Sequence, residues 1–217
     1  MVIDLSSTDR IPKIAISLPV VLASGSPRRA SILRGLGLEF KVVPADIDES
    51  VLSHLPPIDQ ADELARLKAK AVSRDYPHSL VIAADTVVDR DGVSIGKPEN
   101  ERQAFEMLSG LSGRKHLVHT GVAISSDGTL ASDVATTVVS MRGLSVPEIN
   151  EYINSGAPMD KAGAYGIQDA EFSPVDSIAG SYLNVVGLPL SVLATLLHES
   201  GQIDTVSFEV MSRRDAS

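Results

Sequence analysis

Residues 20–23 (Val-Val-Leu-Ala) are a short apolar run that ends directly in Ser24-Gly25-Ser26-Pro27-Arg28-Arg29. Ile32, Leu33 and Leu36 follow at helical spacing, and the Gly35/Gly37 pair stops the pattern. A buried strand feeding a helix through a polar loop commits the chain to layers, because each element must bury its apolar side against another. Ser26 suits an N-cap and Pro27 the first helical position. Arg28 and Arg29 then stand in the first turn, where the dipole makes each cation unfavourable by roughly 0.3–1 kcal/mol. Arginines set against a dipole read as charge supplied for an anion. With free backbone N–H groups and small neighbours they describe a phosphate cradle; two solvated surface arginines are the alternative.

The alternation continues. Residues 40–43 and 80–88 read as strands. Between them a helix capped by Asp59 runs to about Tyr76, with Leu64, Ala65, Lys68 and Val72 near one face. Asp91-Gly92 marks a hairpin, and Pro98 opens a helix with Ala104, Met107, Leu108 and Leu111 inward. Residues 116–125 and 130–141 pair across Asp127-Gly128. Ser145 and Glu148 form a capping box ahead of a short helix ending at Gly156. Residues 160–187 are glycine-rich with short strands, and residues 189–198 form a closing helix. Strands, helices and frequent hairpins predict a mixed α/β fold, with a mixed sheet flanked by helices. Residues 1–18 read as a loose N-terminal arm, 19–200 as the domain and 201–217 as a C-terminal tail.

Charge narrows the partners. Lys+Arg 19 against Asp+Glu 28 leaves a net −9, which repels nucleic acid and anionic membrane, so a polyanionic ligand needs a local basic site. Cys 0 excludes a cysteine nucleophile and cysteine-ligated metal, and fits a reducing compartment. The apolar run 14–23 lacks the basic flank of a signal peptide. The uncharged run 177–198 is broken by Gly180, Asn184, Gly187 and Pro189, unlike the continuous apolar stretch of about 20 residues that spans a bilayer.

Asp85 sits inside the apolar run Ala83-Ala84-Asp85-Thr86-Val87-Val88 and needs a partner there. Asp46, Asp48 and Glu49 could bring a second carboxylate to the same cleft. Oxygen ligands with a phosphate suit Mg²⁺ or Mn²⁺; a strand-end cap or a structural ion pair is the alternative. Lys68 and Lys97 carry little meaning alone. In Asp160-Lys161-Ala162-Gly163-Ala164-Tyr165-Gly166-Ile167-Gln168, small residues shape a wall and Gln168 offers donor and acceptor to a base edge. His116 and His119 fall on opposite faces of a strand, which reads as structural rather than as a metal pair.

Seven blocks in order resemble the Maf family of nucleoside triphosphate pyrophosphatases. They are LASGSPRR (22–29), the Leu-Ala-x-x-Lys-Ala segment (64–69), AADTVV (83–88), IGKP (95–98), LSGRKHLVHTGVAI (111–124), DKAGAYGIQ (160–168) and SYLNVVGLPL (181–190). The resemblance implies the fold of inosine triphosphate pyrophosphatases, a mixed twisted sheet in two lobes around a deep cleft. It also implies hydrolysis of a nucleoside triphosphate to the monophosphate and pyrophosphate with a divalent cation, in a cytoplasmic homodimer. Asp85 matches the family's proton acceptor and Glu49 an acid near the metal. Arg28, Thr86 and Gln168 match specificity positions, and Arg29, Lys68 and Lys97 match basic residues around the triphosphate. Ser24 and Ser26 belong to the same loop. Gln168 points to the dTTP/UTP branch. A 7-methyl-GTP or CTP pyrophosphatase, or a nucleotide-binding regulator of cell division with little turnover, are the competing readings. One departure stands out: Asp169-Ala170-Glu171-Phe172 replaces the glycine-rich turn usual after Gln168.

Overall fold

A computed structural model describes residues 10–210 apart from 170 and 204. The chain opens with β1 (Arg10–Ala15), β2 (Val20–Leu22), α1 (Pro27–Gly35) and β3 (Phe40–Val42). Next come α2 (Pro57–Ser73), β4 (Leu80–Arg90), β5 (Val93–Ile95) and α3 (Glu101–Leu111). The long hairpin of β6 (Lys115–Ser126) and β7 (Thr129–Met141) leads to α4 (Val146–Asn154). β8 (Val175–Ala179), α5 (Tyr182–Val186), α6 (Leu190–Glu199) and β9 (Thr205–Val210) complete it.

Seven strands form one mixed sheet in the order β3-β2-β4-β6-β7-β8, with β5 paired to β4 off that path. β2 runs parallel to β3 and β4, whereas β4, β6, β7 and β8 pair antiparallel in turn. The mixed sheet expected from the hairpins is therefore present. Both hairpin tips place an aspartate and a glycine at positive φ, Asp91-Gly92 and Asp127-Gly128, the conformation a two-residue tip demands.

Three boundaries differ from the sequence reading. α2 begins at Pro57, two residues before the expected Asp59 cap, because proline starts a helix without needing a cap hydrogen bond; Asp59 lies in the first turn. α3 begins after Asn100, whose side chain accepts the Gln103 N–H at 3.0 Å, and not at Pro98. The arm and tail are not wholly loose: β1 and β9 pair antiparallel over six residues each. Residues 1–9 and 211–217 of the expected arm and tail lie outside the described residues.

Two main cores share the sheet as two lobes. In one, α1 and α6 pack Leu33, Leu193 and Leu197 on Leu22, Ile82 and Val122. In the other, α3 and α4 pack Leu108, Leu111 and Ile149 on Val88, Val118 and Val139. The uncharged run 177–198 is divided among β8, α5 and α6. Among the described residues no helix is long and apolar enough to cross a membrane.

α2 covers the opposite face through Ala65, Ala69 and Val72. It lies so close that a Cβ on Gly121 of β6 would stand 2.8 Å from Asp62 N and closer still to the Ala61 carbonyl oxygen. Gly121→Ala must push α2 off the sheet, and overpacking of this kind costs roughly 1–3 kcal/mol. At about 2–4 °C per kcal/mol for a domain of this size, thermal melts should show a clear loss. An unchanged Tm would mean α2 can shift freely.

Candidate active site

The two edges of β4 are covered unequally. One pairs with β6 continuously from Val81 to Asp89. On the other, β2 covers residues 80–82 and β5 covers residues 88–90. Residues 83–87 therefore have no ladder partner on that edge among the described residues. A cleft of about 1030 Å³ opens at the break, at the carboxyl end of β2, the usual place for a ligand in an open α/β sheet. Ser24, Ser26, Arg28, Arg29, Glu49, Lys68, Asp85, Thr86, Lys97 and Gln168 all line it. Asp46 does not, and Asp48 instead accepts from the Ser50 N–H at 3.0 Å and the Ser50 hydroxyl at 2.6 Å.

Strand alternation aims Asp85 at α2. There Lys68 Nζ stands 2.5 Å from both Asp85 Oδ1 and Glu49 Oε1. Asp85 and Lys68 expose only 10% and 11% of their side chains, against 56% for Glu49. Burial pushes the Asp85 carboxyl above the usual carboxylate range; the charges of Lys68 and Arg29 pull against this without cancelling it. Two carboxylates converging on one point are spaced to share a cation. Among the described residues no group of three or more His, Asp or Glu could hold a metal. A divalent ion here would thus take two carboxylates and fill its shell with water and phosphate oxygens, a common arrangement for Mg²⁺.

Thr86 points to the other face, into a buried polar chain. Arg29 donates from Nε to Gly187 O at 2.8 Å, from Nη1 to Ser24 Oγ at 3.0 Å and from Nη2 to Thr86 Oγ1 at 3.0 Å. Thr120 donates to Asn184 O at 2.9 Å, so the 2.9 Å Thr86–Thr120 bond takes its proton from Thr86. Three of the five Arg29 N–H groups are thus spent on the protein. The two arginines of the loop are not equivalent. Arg29 is anchored and desolvated, which lowers its pKa despite Asp85, while Arg28 reaches the mouth, 3.6 Å from Asp160. Ser26 caps α1 as expected, accepting the Arg29 N–H at 3.5 Å.

Counting Arg28, Arg29, Lys68, Lys97 and Lys161 against Glu49, Asp85, Asp160 and Asp169, the cleft lining holds five cations and four carboxylates. That is a local excess of positive charge on a chain of net −9. Gln168 lies exposed in a turn closed by Asp169 N–H to Gly166 O at 3.2 Å. The two histidines part as expected. His116 meets the Tyr165 hydroxyl at 2.7 Å and His119 bridges Thr136 and Asp89 at 2.8 and 3.2 Å. Burial lowers the His116 pKa to about 4, which keeps that ring neutral.

Residues 19–200 match the family described as Maf-like protein. The chain belongs to the Maf family. Among its Maf relatives, a dTTP/UTP pyrophosphatase of Syntrophomonas wolfei subsp. wolfei is 47% identical over 182 residues, 83% of this chain and 96% of that protein. A dTTP/UTP pyrophosphatase of Moorella thermoacetica is 47% identical over 180 residues, 82% of this chain and 93% of that one. Among solved structures, a HAM1 protein from Coxiella burnetii shares 19% identity at a TM-score of 0.47, covering 84% of this chain and 99% of that chain.

Sequence reasoning missed Thr120 and Asn184, which support Thr86 and Arg29 from behind. Asn184 Nδ2 donates to Val118 O and Thr137 Oγ1, both at 2.9 Å. The available signal was a polar residue inside an apolar run, which must find a buried partner. A carboxyl whose folded pKa exceeds its unfolded value of about 3.9 destabilises the fold above both values, and stops doing so as pH falls through the folded pKa. Asp85→Asn should therefore melt above wild type at pH 7.5. The gap should close on acidification towards pH about 4. A lower Tm for the variant at pH 7.5 would show that Lys68 outweighs the burial cost.

Proposed function

We propose that this chain hydrolyses dTTP and UTP to the nucleoside monophosphate and pyrophosphate. The observation that carries the reading is the buried Asp85, paired through Lys68 with Glu49, at the floor of a cleft whose mouth holds Arg28, Lys97 and Gln168. The names of the relatives support the reaction and the substrates.

Glu49 and Asp85 would hold a divalent cation, which supplies charge neutralisation for the phosphates. Lys68, freed from the two carboxylates, moves its positive charge to a phosphate oxygen. Arg28 and Lys97 hold the outer phosphates, and anchored Arg29 adds a fixed positive field behind Thr86. Asp85 takes the proton of a water whose oxygen bonds to the α-phosphorus; the α–β bridging bond breaks and its electron pair leaves with pyrophosphate. Gln168 reads the O4/N3 edge of thymine or uracil. The proposal includes a cytoplasmic homodimer, which rests on the family resemblance; sedimentation velocity tests the dimer.

Pyrophosphate release from a panel of nucleoside triphosphates, with Mg²⁺, Mn²⁺ or EDTA, tests the reading. Turnover should be strongest on dTTP and UTP, vanish with EDTA and fall by about 10²–10⁴-fold in Asp85→Asn. Turnover centred on CTP or 7-methyl-GTP would keep the chemistry and overturn the role given to Gln168. Binding without turnover on any nucleotide would favour a regulator.

A further inference from the structure

The geometry points to Tyr152 as a positioning residue for base selection: one hydroxyl on α4 clamps both ends of the turn that presents Gln168. This rests on the pyrophosphatase reading above and extends it to a residue outside the cleft lining. The turn runs from Gly166 to Asp169, closed by its own 3.2 Å backbone bond, with Gln168 in its third position. At its start, Gly166 N–H donates to Tyr152 Oη at 3.2 Å. At its end, the Asp169 carboxylate accepts the Tyr152 O–H. A hydroxyl has one proton and two lone pairs, so it makes both bonds at once.

Asp169 folds back over the turn so closely that a Cβ on Gly166 would stand 2.6 Å from its Oδ2. Lys161 Nζ stands 3.9 Å away, its charge shared with Asp160 at 2.9 Å. The Tyr152 ring also stacks on Phe172, with centroids 3.8 Å apart and planes 7° from parallel. Asp169, the first acid after Gln168, is thus tied to α4. Behind the turn is a second cavity of about 530 Å³, bordered by Tyr152, Asp169 and Phe172. A released turn has room to sink into it.

The test compares wild type, Tyr152→Phe, Asp169→Ala and the double variant on dTTP and CTP. Inorganic tripolyphosphate serves as a competitor that lacks a base. Losing the clamp should raise KM for dTTP about 5- to 10-fold. In Tyr152→Phe the dTTP-over-CTP preference should fall by a similar factor, with kcat within about twofold and the tripolyphosphate inhibition constant unchanged; Asp169→Ala, which also removes a carboxylate from the cleft lining, should show the same fall in preference. The double variant should be no worse than the worse single, as for residues acting through one contact. If Tyr152→Phe fails to fold, Asp169→Ala reads the same clamp from the turn side. Unchanged KM and preference, or a tripolyphosphate constant rising in step with KM, overturns the inference. An inactive wild type overturns the pyrophosphatase reading itself, and this inference with it.

Discussion

A carboxylate in the central strand of a sheet is stable only if a cation can reach it, and Lys68 reaches Asp85 because α2 lies almost against β6. The dependence runs through four residues. Gly121 lets the helix backbone approach, the small side chains of Ala65 and Ala69 keep it there, and Lys68 then delivers its ammonium between Asp85 and Glu49. Removing Lys68 would leave the buried Asp85 without its paired ammonium, which is costly. The same closeness keeps the Asp85 carboxyl poorly solvated. The contact that makes the fold tolerate the acid therefore also tunes the acid.

The opposite face of β4 is organised by hydrogen bonds rather than by charge. Arg29 is held in three directions, and Thr86, Thr120 and Asn184 pass the anchoring back to α5 and β6. A buried guanidinium with fixed partners cannot swing to follow a ligand, so it acts as a stationary field. Arg28 instead reaches towards Asp160, at 3.6 Å. Between the two faces lies the break in the edge of β4, and each lobe brings its own core to one side of that break.

Much of the fold was legible because its signals are local. Ser26-Pro27 starts α1, Asp91-Gly92 and Asp127-Gly128 turn hairpins, and Ser145 with Glu148 caps α4. Each of these depends on residues within a few positions of one another. The misplaced starts of α2 and α3 have the same origin: Pro57 and Asn100 are equally valid local signals, and packing chose them over Asp59 and Pro98. The pairing of β1 with β9 joins segments nearly 200 residues apart, and no neighbouring residue announces it.

For the site, the sequence alone determined which groups had to matter. An acid in an apolar strand needs a partner, and arginines at a helix start need an anion. Only the tertiary structure decided which partners those are. It chose Glu49 over Asp46 and Asp48, turned Arg29 inward and Arg28 outward, and brought Tyr152 of α4 to the turn after Tyr165. The physical reason is range. Capping and burial act on a residue's own surroundings, whereas pairing across a cleft depends on where distant strands and helices come to rest.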